Sequence, residues 1–134
     1  MQLPLLLSLL AIPALSLKTE FFFNGTITCS KYSPFSYQIQ VIEKDNLSPD
    51  DELSRMSFVT SEVSPVNYSI YAVDTDDGPF DHYYEIVYLV YHDCGPKHMH
   101  LYKEFHIGYF YVHHGKHYHT FDLDITDKGN KSYW

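Results

Sequence analysis

Arginine is almost missing from this chain of 134 residues: Arg55 stands alone, and Lys and Arg together number 9 against 17 Asp and Glu, for a formal charge of -8. The few basic residues are not gathered either. Lys97 and Lys103, then Lys116, then Lys128 and Lys131 are dispersed among aromatics, His and acids. A polyphosphate backbone would meet net repulsion, which excludes a nucleic-acid binder. Cysteine is nearly as scarce, with 2 in the chain, and Trp occurs once. Apolar runs of membrane-spanning length are lacking: Leu3 to Leu17 is too short to cross a bilayer, and Ile86 to Tyr91 is only strand-sized, so no transmembrane span is expected. Helical periodicity is close to absent.

What the chain has in quantity is aromatic matter, with 13 Tyr and 9 Phe in a sequence that is 45% apolar. That is enough for one core and, at this length, for one domain. The N-terminal apolar run LPLLLSLLAIPALSL ends in small residues, the pattern of a signal peptide. The Ala-x-small pattern at Ala14 and Ser16 puts cleavage after Ser16, leaving residues 17–134 as the mature domain, secreted and extracellular. In an oxidising compartment Cys29 and Cys94 are expected to pair as a disulfide rather than stay as two buried thiols. Closing so long a loop would stabilise the fold by roughly 4 kcal/mol in the chain-entropy account. The sequons at Asn24, Asn46, Asn67 and Asn130 outnumber the one or so that composition alone would produce, so glycosylation and surface exposure are expected at these Asn.

The segments between the turn signals are short and rich in Tyr, Phe, Val and Ile, an all-β pattern. Phe21 to Ser30 reads as a first strand, and Lys31 to Pro34 as a turn. From Phe35 to Glu43 the residues Phe35, Tyr37, Ile39 and Val41 alternate with Ser36, Gln38 and Gln40, which gives one buried and one wet face. Leu53 to Thr60 is a short strand of mixed pattern. Val66 to Val73 alternates again, with Asn67 on the outer parity. Tyr83 to Cys94 has too many consecutive apolar residues for a half-exposed strand and should run through the centre. From His98 to Ile107 the apolar Met99, Leu101, Phe105 and Ile107 alternate with a His-lined face, Lys103 being the flaw in the pattern. A hairpin around Gly115 leads to a last strand in which Phe121, Leu123 and Ile125 alternate with Thr120, Asp122 and Asp124, and the tail beyond Thr126 reads as frayed. About seven short strands make a two-sheet sandwich the economical packing.

The segment EIVYLVYHDCG, Glu85 to Gly95, resembles the nematode transthyretin-like family. GTITC at Gly25 to Cys29, SPDDEL at Ser48 to Leu53, KEFHIGYFYV at Lys103 to Val112 and the Gly-Lys at Gly115 agree in collinear order, so the resemblance covers about Gly25 to Ile125. It implies a transthyretin-like (prealbumin/immunoglobulin-like) β-sandwich and a secreted binding protein. Cys29 and Cys94 match the family's Cys in the first strand and in its His-x-Cys. The chain departs from the pattern in lacking the further Cys after His-x-Cys, and Ser54 to Asp81 matches poorly.

Seven of the 9 His fall between His98 and His119. His98, His100 and His106 share one strand parity and could offer neutral imidazoles to Zn or Cu, whereas the plain alternative is a wet strand face covered by His; no Cys or compact His-x-x-x-His spacing supports a closed site. Acidification toward pH 5 would charge several His and offset the negative charge. The loop with Asp74, Asp76, Asp77, Gly78 and Asp81 imitates the start of a calcium loop but lacks the later bidentate Glu, so a solvated acidic turn is the expectation. His92 and Asp93 beside Cys94 do not make a triad, because strand neighbours point to opposite faces. Hydroxyisourate hydrolases, which are relatives of transthyretin, depend on an N-terminal His, an Arg and a C-terminal Tyr-Arg-Gly-Ser. Here no His precedes His82 and the chain ends NKSYW, so no enzyme activity and no cofactor are expected. The functional expectation is an extracellular binding protein for an apolar small molecule, lipid or cell-surface component, with a protein-interaction or host-directed module acting through a sheet edge as the alternative.

Overall fold

The computed structural model describes residues 18–45, 49–75, 83–111 and 115–133. These form strands β1 (Thr19–Thr28), β2 (Phe35–Lys44), β3 (Asp51–Arg55), β4 (Val59–Ser61), β5 (Val66–Asp74), β6 (Tyr83–His92), β7 (Leu101–Tyr111), β8 (Gly115–Thr120), β9 (Leu123–Asp124) and β10 (Asn130–Lys131), with a single 3-10 turn at Pro96–His98. The expected all-β character holds. Among the described residues, no helix is long and apolar enough to cross a membrane.

The strands build two sheets. In the first, β1 lies between β5, antiparallel to it, and β8 followed by β9, both parallel to it. In the second, β10, β7, β6, β2 and β3 follow one another, with β4 also on β2, and every pairing is antiparallel. The alternation in the sequence sets the buried faces: Phe21, Phe23 and Ile27 of β1 meet Phe35, Tyr37, Ile39 and Val41 of β2 and Tyr84, Ile86, Tyr88 and Val90 of β6 in one cluster. The ring of Phe23 stands edge-on to Tyr88 at 5.7 Å and that of Phe21 edge-on to Tyr84 at 5.7 Å, a favourable arrangement of ring quadrupoles that locks one sheet onto the other. Cys29, just past β1, is bonded to Cys94, just past β6, with their Cα atoms 6.0 Å apart, so the expected bridge joins the two sheets.

Five expectations need correction. The described residues form ten strands rather than about seven. The segment Leu53 to Thr60 is two strands, β3 and β4, that pair with successive parts of β2. The central strand stops at His92, because Asp93 turns its amide onto the Ser36 carbonyl and accepts from the Ser36 amide. His98 and His100 precede β7 instead of lying on it, since Gly95-Pro96 opens a turn in which Lys97 and His98 take left-handed φ of 56° and 62°. The tail is not frayed: Asp127 and Ser132 donate to the Cys94 and His100 carbonyls, and β10 pairs with the start of β7. Lys103 sits opposite the buried Val90 on β6 yet is exposed.

Candidate interaction surfaces

With the inward positions filled by the core, the outward positions of each sheet form the candidate surfaces. On the first sheet the register puts Phe22 opposite Tyr71 on one side and Tyr118 on the other. The Phe22 ring lies 5.2 Å from Tyr71 and stacks on Tyr118 at 4.9 Å, while Lys116 hangs over it. Tyr71 donates to the Glu20 carboxylate at 2.8 Å, which holds Glu20 below the usual carboxylate range. Two residues further along β1, Asn24 sits between Ser69 and Thr120, and Asn67 stands opposite Thr26. Asn24, Thr26, Asn67, Thr120 and Asp122 line a solvent-open groove of about 310 Å³ with Gly25 and Tyr68 at its floor. Both Asn are exposed, and so is Asn130 on β10.

On the second sheet the outward pairs are Tyr83 with Tyr111, Glu85 with Tyr109 and Val87 with His106. The Tyr83 and Tyr111 rings are 4.4 Å apart, and their hydroxyl contact raises the Tyr83 pKa. His106 lies 5.0 Å from the Tyr109 ring and 3.5 Å from the Glu85 carboxylate, a contact that becomes an ion pair when the imidazole is protonated. Tyr83, Tyr109 and Tyr111 are 49%, 63% and 59% exposed and lie together on one face instead of scattered singly, the pattern of an interaction site. Lys44 bridges to Glu104 at 2.6 Å across the same face. A β-bulge between β6 and β7 sets this patch, because it moves Tyr109 and Tyr111 onto the outward face that His106 already shares.

The His candidates are not brought together. His98 stacks on Tyr32 at 4.7 Å near Asp93, His100 lies just before β7, and His106 belongs to the tyrosine patch. Among the described residues, no three His, Cys, Asp or Glu side chains converge as a metal site would need. His117 and His119 point inward from β8 and close the edge of the core: His117 stacks on Phe21 at 5.4 Å and His119 stands edge-on to Phe110 at 5.6 Å. The most buried imidazole is that of His92. Its Nε2 donates to the Lys128 carbonyl (2.8 Å) and its Nδ1 accepts from the Cys94 amide (3.0 Å), and burial pushes its pKa down. His92 therefore fastens the tail to the disulfide region. Residues 1–17, Asn46, Asp76, Asp77, Gly78, Asp81, His82, His113 and His114 lie outside the described residues, so the signal-peptide and calcium-loop expectations fall there.

Residues 24–133 match the family described as Caenorhabditis elegans protein of unknown function (DUF870). The chain belongs to this family. An uncharacterized protein of Caenorhabditis elegans, B0416.7, is 36% identical over 89 residues, covering 66% of this chain and 66% of that relative. The chain thus spans just under two thirds of the length of that relative. No solved structure matches this chain. The nematode origin of the resemblance is borne out at the level of this family.

The tyrosine patch escaped the sequence reading. Tyr109 and Tyr111 could have been assigned outward by counting back from Tyr83, but only with the bulge in hand, and nothing in KEFHIGYFYV marks where an extra residue is inserted.

Proposed function

We propose that the chain is a secreted, transthyretin-like sandwich that works as an extracellular binding module, taking a cell-surface component onto the tyrosine face of its second sheet. The observation that carries this reading is the grouping of Tyr83, Tyr109 and Tyr111 with His106 and Glu85 on β6 and β7, while Asn24 and Asn67 lie on the outer face of the opposite sheet. Tyrosine offers a large contact area at small entropic cost together with a polar tip, and it is enriched where proteins are recognised. The two-sheet arrangement and the Cys29–Cys94 bridge support the transthyretin-like reading, and the bridge supports an oxidising compartment. The face is favoured over the edge: along β7 the bulge and the charged Lys103 and Glu104 blunt strand addition. A flat, exposed patch also suits an extended partner better than an enclosed apolar molecule, which would bury most of its surface in a concavity.

The test is secretion from eukaryotic cells followed by surface crosslinking and mass spectrometry of what is captured. Capture that is lost in the triple variant Tyr83→Ser, Tyr109→Ser, Tyr111→Ser and kept in Tyr71→Ser is the expected result. Retention of the chain inside the cell, capture indifferent to the triple variant, or a small molecule recovered by solvent extraction would each refute the reading.

A further inference from the structure

We propose that the sugar carried by Asn24 folds back onto the aromatic row of the first sheet, with its first ring seated on Phe22 and Tyr118. The inference rests on the secreted-glycoprotein reading and names the seat that one glycan takes.

Phe22, Asn24 and Thr26 are alternate residues of β1 and project from its outer face, so the aromatic ring and the sequon Asn are about 7 Å apart along one surface. The flanking strands leave room above Asn24, since its cross-strand neighbours are the short Ser69 and Thr120. One step back the neighbours become large: Tyr71 and Tyr118 widen Phe22 into a platform three strands across, and Tyr71 and Tyr118 are 46% and 71% exposed. The hydroxyl of Thr120 donates to the Asn24 carbonyl oxygen at 2.6 Å, which uses the oxygen and not the amide nitrogen on which an N-linked sugar is built. Thr26, the sequon hydroxyl residue, is held by Asp122 through both its amide (2.9 Å) and its hydroxyl (3.0 Å). The attachment point is therefore fixed from both sides.

A pyranose has one face of axial C–H groups, and such a face packs on an exposed aromatic ring as an apolar surface whose slightly positive hydrogens meet the negative π cloud. The sequence supplies its own controls. Two residues before Asn46, Asn67 and Asn130 stand Lys44, Pro65 and Lys128, so Asn24 is the sequon with an aromatic at that position. The covering also accounts for an exposed aromatic row that lies outside the tyrosine patch of the second sheet.

The experiment uses the full chain secreted from eukaryotic cells. Site occupancy is mapped by mass spectrometry, and urea unfolding is measured for the parent, Asn24→Gln, Phe22→Thr and the double variant, with Asn67→Gln as control. Loss of the Asn24 glycan should lower the folding equilibrium constant about fivefold in the parent and leave it unchanged in the Phe22→Thr background. Asn67→Gln should give no such coupling to Phe22. In an isotope-labelled glycoprotein, protons of the Asn24-linked N-acetylglucosamine should shift upfield under the aromatic ring current, and this measurement decides alone if Phe22→Thr does not fold. An occupied Asn24 without coupling or ring-current shift overturns the seat and leaves the glycoprotein reading standing. An empty Asn24 with sugar on Asn67 or Asn130 also overturns the seat alone, whereas four empty sequons overturn both.

Discussion

Gly25 is the residue on which the first sheet can least afford a side chain. It has a φ of +156°, and a Cβ there would lie 2.0 Å from the Phe121 carbonyl oxygen and 2.7 Å from its carbonyl carbon. Those are backbone atoms, so they cannot swing away as a side chain would. Relief requires the Phe121 segment to lift by more than an ångström, and that segment is tied down twice: the Phe121 amide donates to the Asn24 carbonyl (2.9 Å), and the Tyr68 hydroxyl donates to the Phe121 carbonyl (2.5 Å). Overpacking costs about 1–3 kcal/mol, and each hydrogen bond lost adds about 1 kcal/mol. The stiffer unfolded chain of an alanine returns less than about 1 kcal/mol of this. Gly25→Ala should therefore destabilise the domain by about 3 kcal/mol, which lowers a urea midpoint by about 2 M for a slope near 1.5 kcal/mol/M. The substitution preserves the Asn24 sequon, so unfolding of deglycosylated protein isolates the packing effect. A loss below about 1 kcal/mol would refute the claim that β1 and the Phe121 segment are in close backbone contact.

Removing the bridge with Cys29→Ser and Cys94→Ser should cost roughly 4 kcal/mol, read as a fall in the unfolding midpoint with a steeper slope as the unfolded chain loses its cross-link, and an unchanged midpoint would contradict a constraint between the sheets. Tyr68→Phe removes the hydroxyl that bonds the Phe121 carbonyl and the Tyr88 hydroxyl (3.1 Å); burial pushes the Tyr68 phenol up to about 12 and raises that of Tyr88. The expected loss is about 2 kcal/mol, and circular dichroism should show the fold retained. His92 is neutral in the folded protein because burial lowers its pKa, whereas an unfolded His titrates near about 6.5. Its contribution is fully present above that value and is lost as pH falls below it, since the unfolded chain then binds the extra proton. Stability measured between about pH 6.5 and 5 should decline less steeply in His92→Gln than in the parent, by up to one proton per molecule, and equal slopes would refute this role.

Legibility in the sequence followed the length of uninterrupted alternation. β2 and β5 could be read residue by residue because each keeps one parity against the core, and β6 because its apolar run is too dense for an exposed face. Phe105 to Phe110 could not be read, since one inserted residue in β7 reverses the parity and the insertion depends on pairing with β6 rather than on any turn signal. The three His grouped by parity were separated for a related reason: the chain enters β7 only at Leu101, after a left-handed turn. His117 and His119 share the parity of Phe121 and Leu123, yet their polarity concealed that they face the core, where Phe21 and Phe110 receive their rings. β10 consists of two exposed residues, and its pairing partner is distant in sequence, so local propensity carried no trace of it.

The sulphur bond between Cys29 and Cys94 spans most of the connections between strands. A protease that cuts once anywhere between those residues produces two pieces that remain one molecule, held by a covalent tie and by shared hydrogen-bonded ladders. Such a nicked form would migrate as intact protein until a reductant was added. A single cut in that stretch would then fail to release either half.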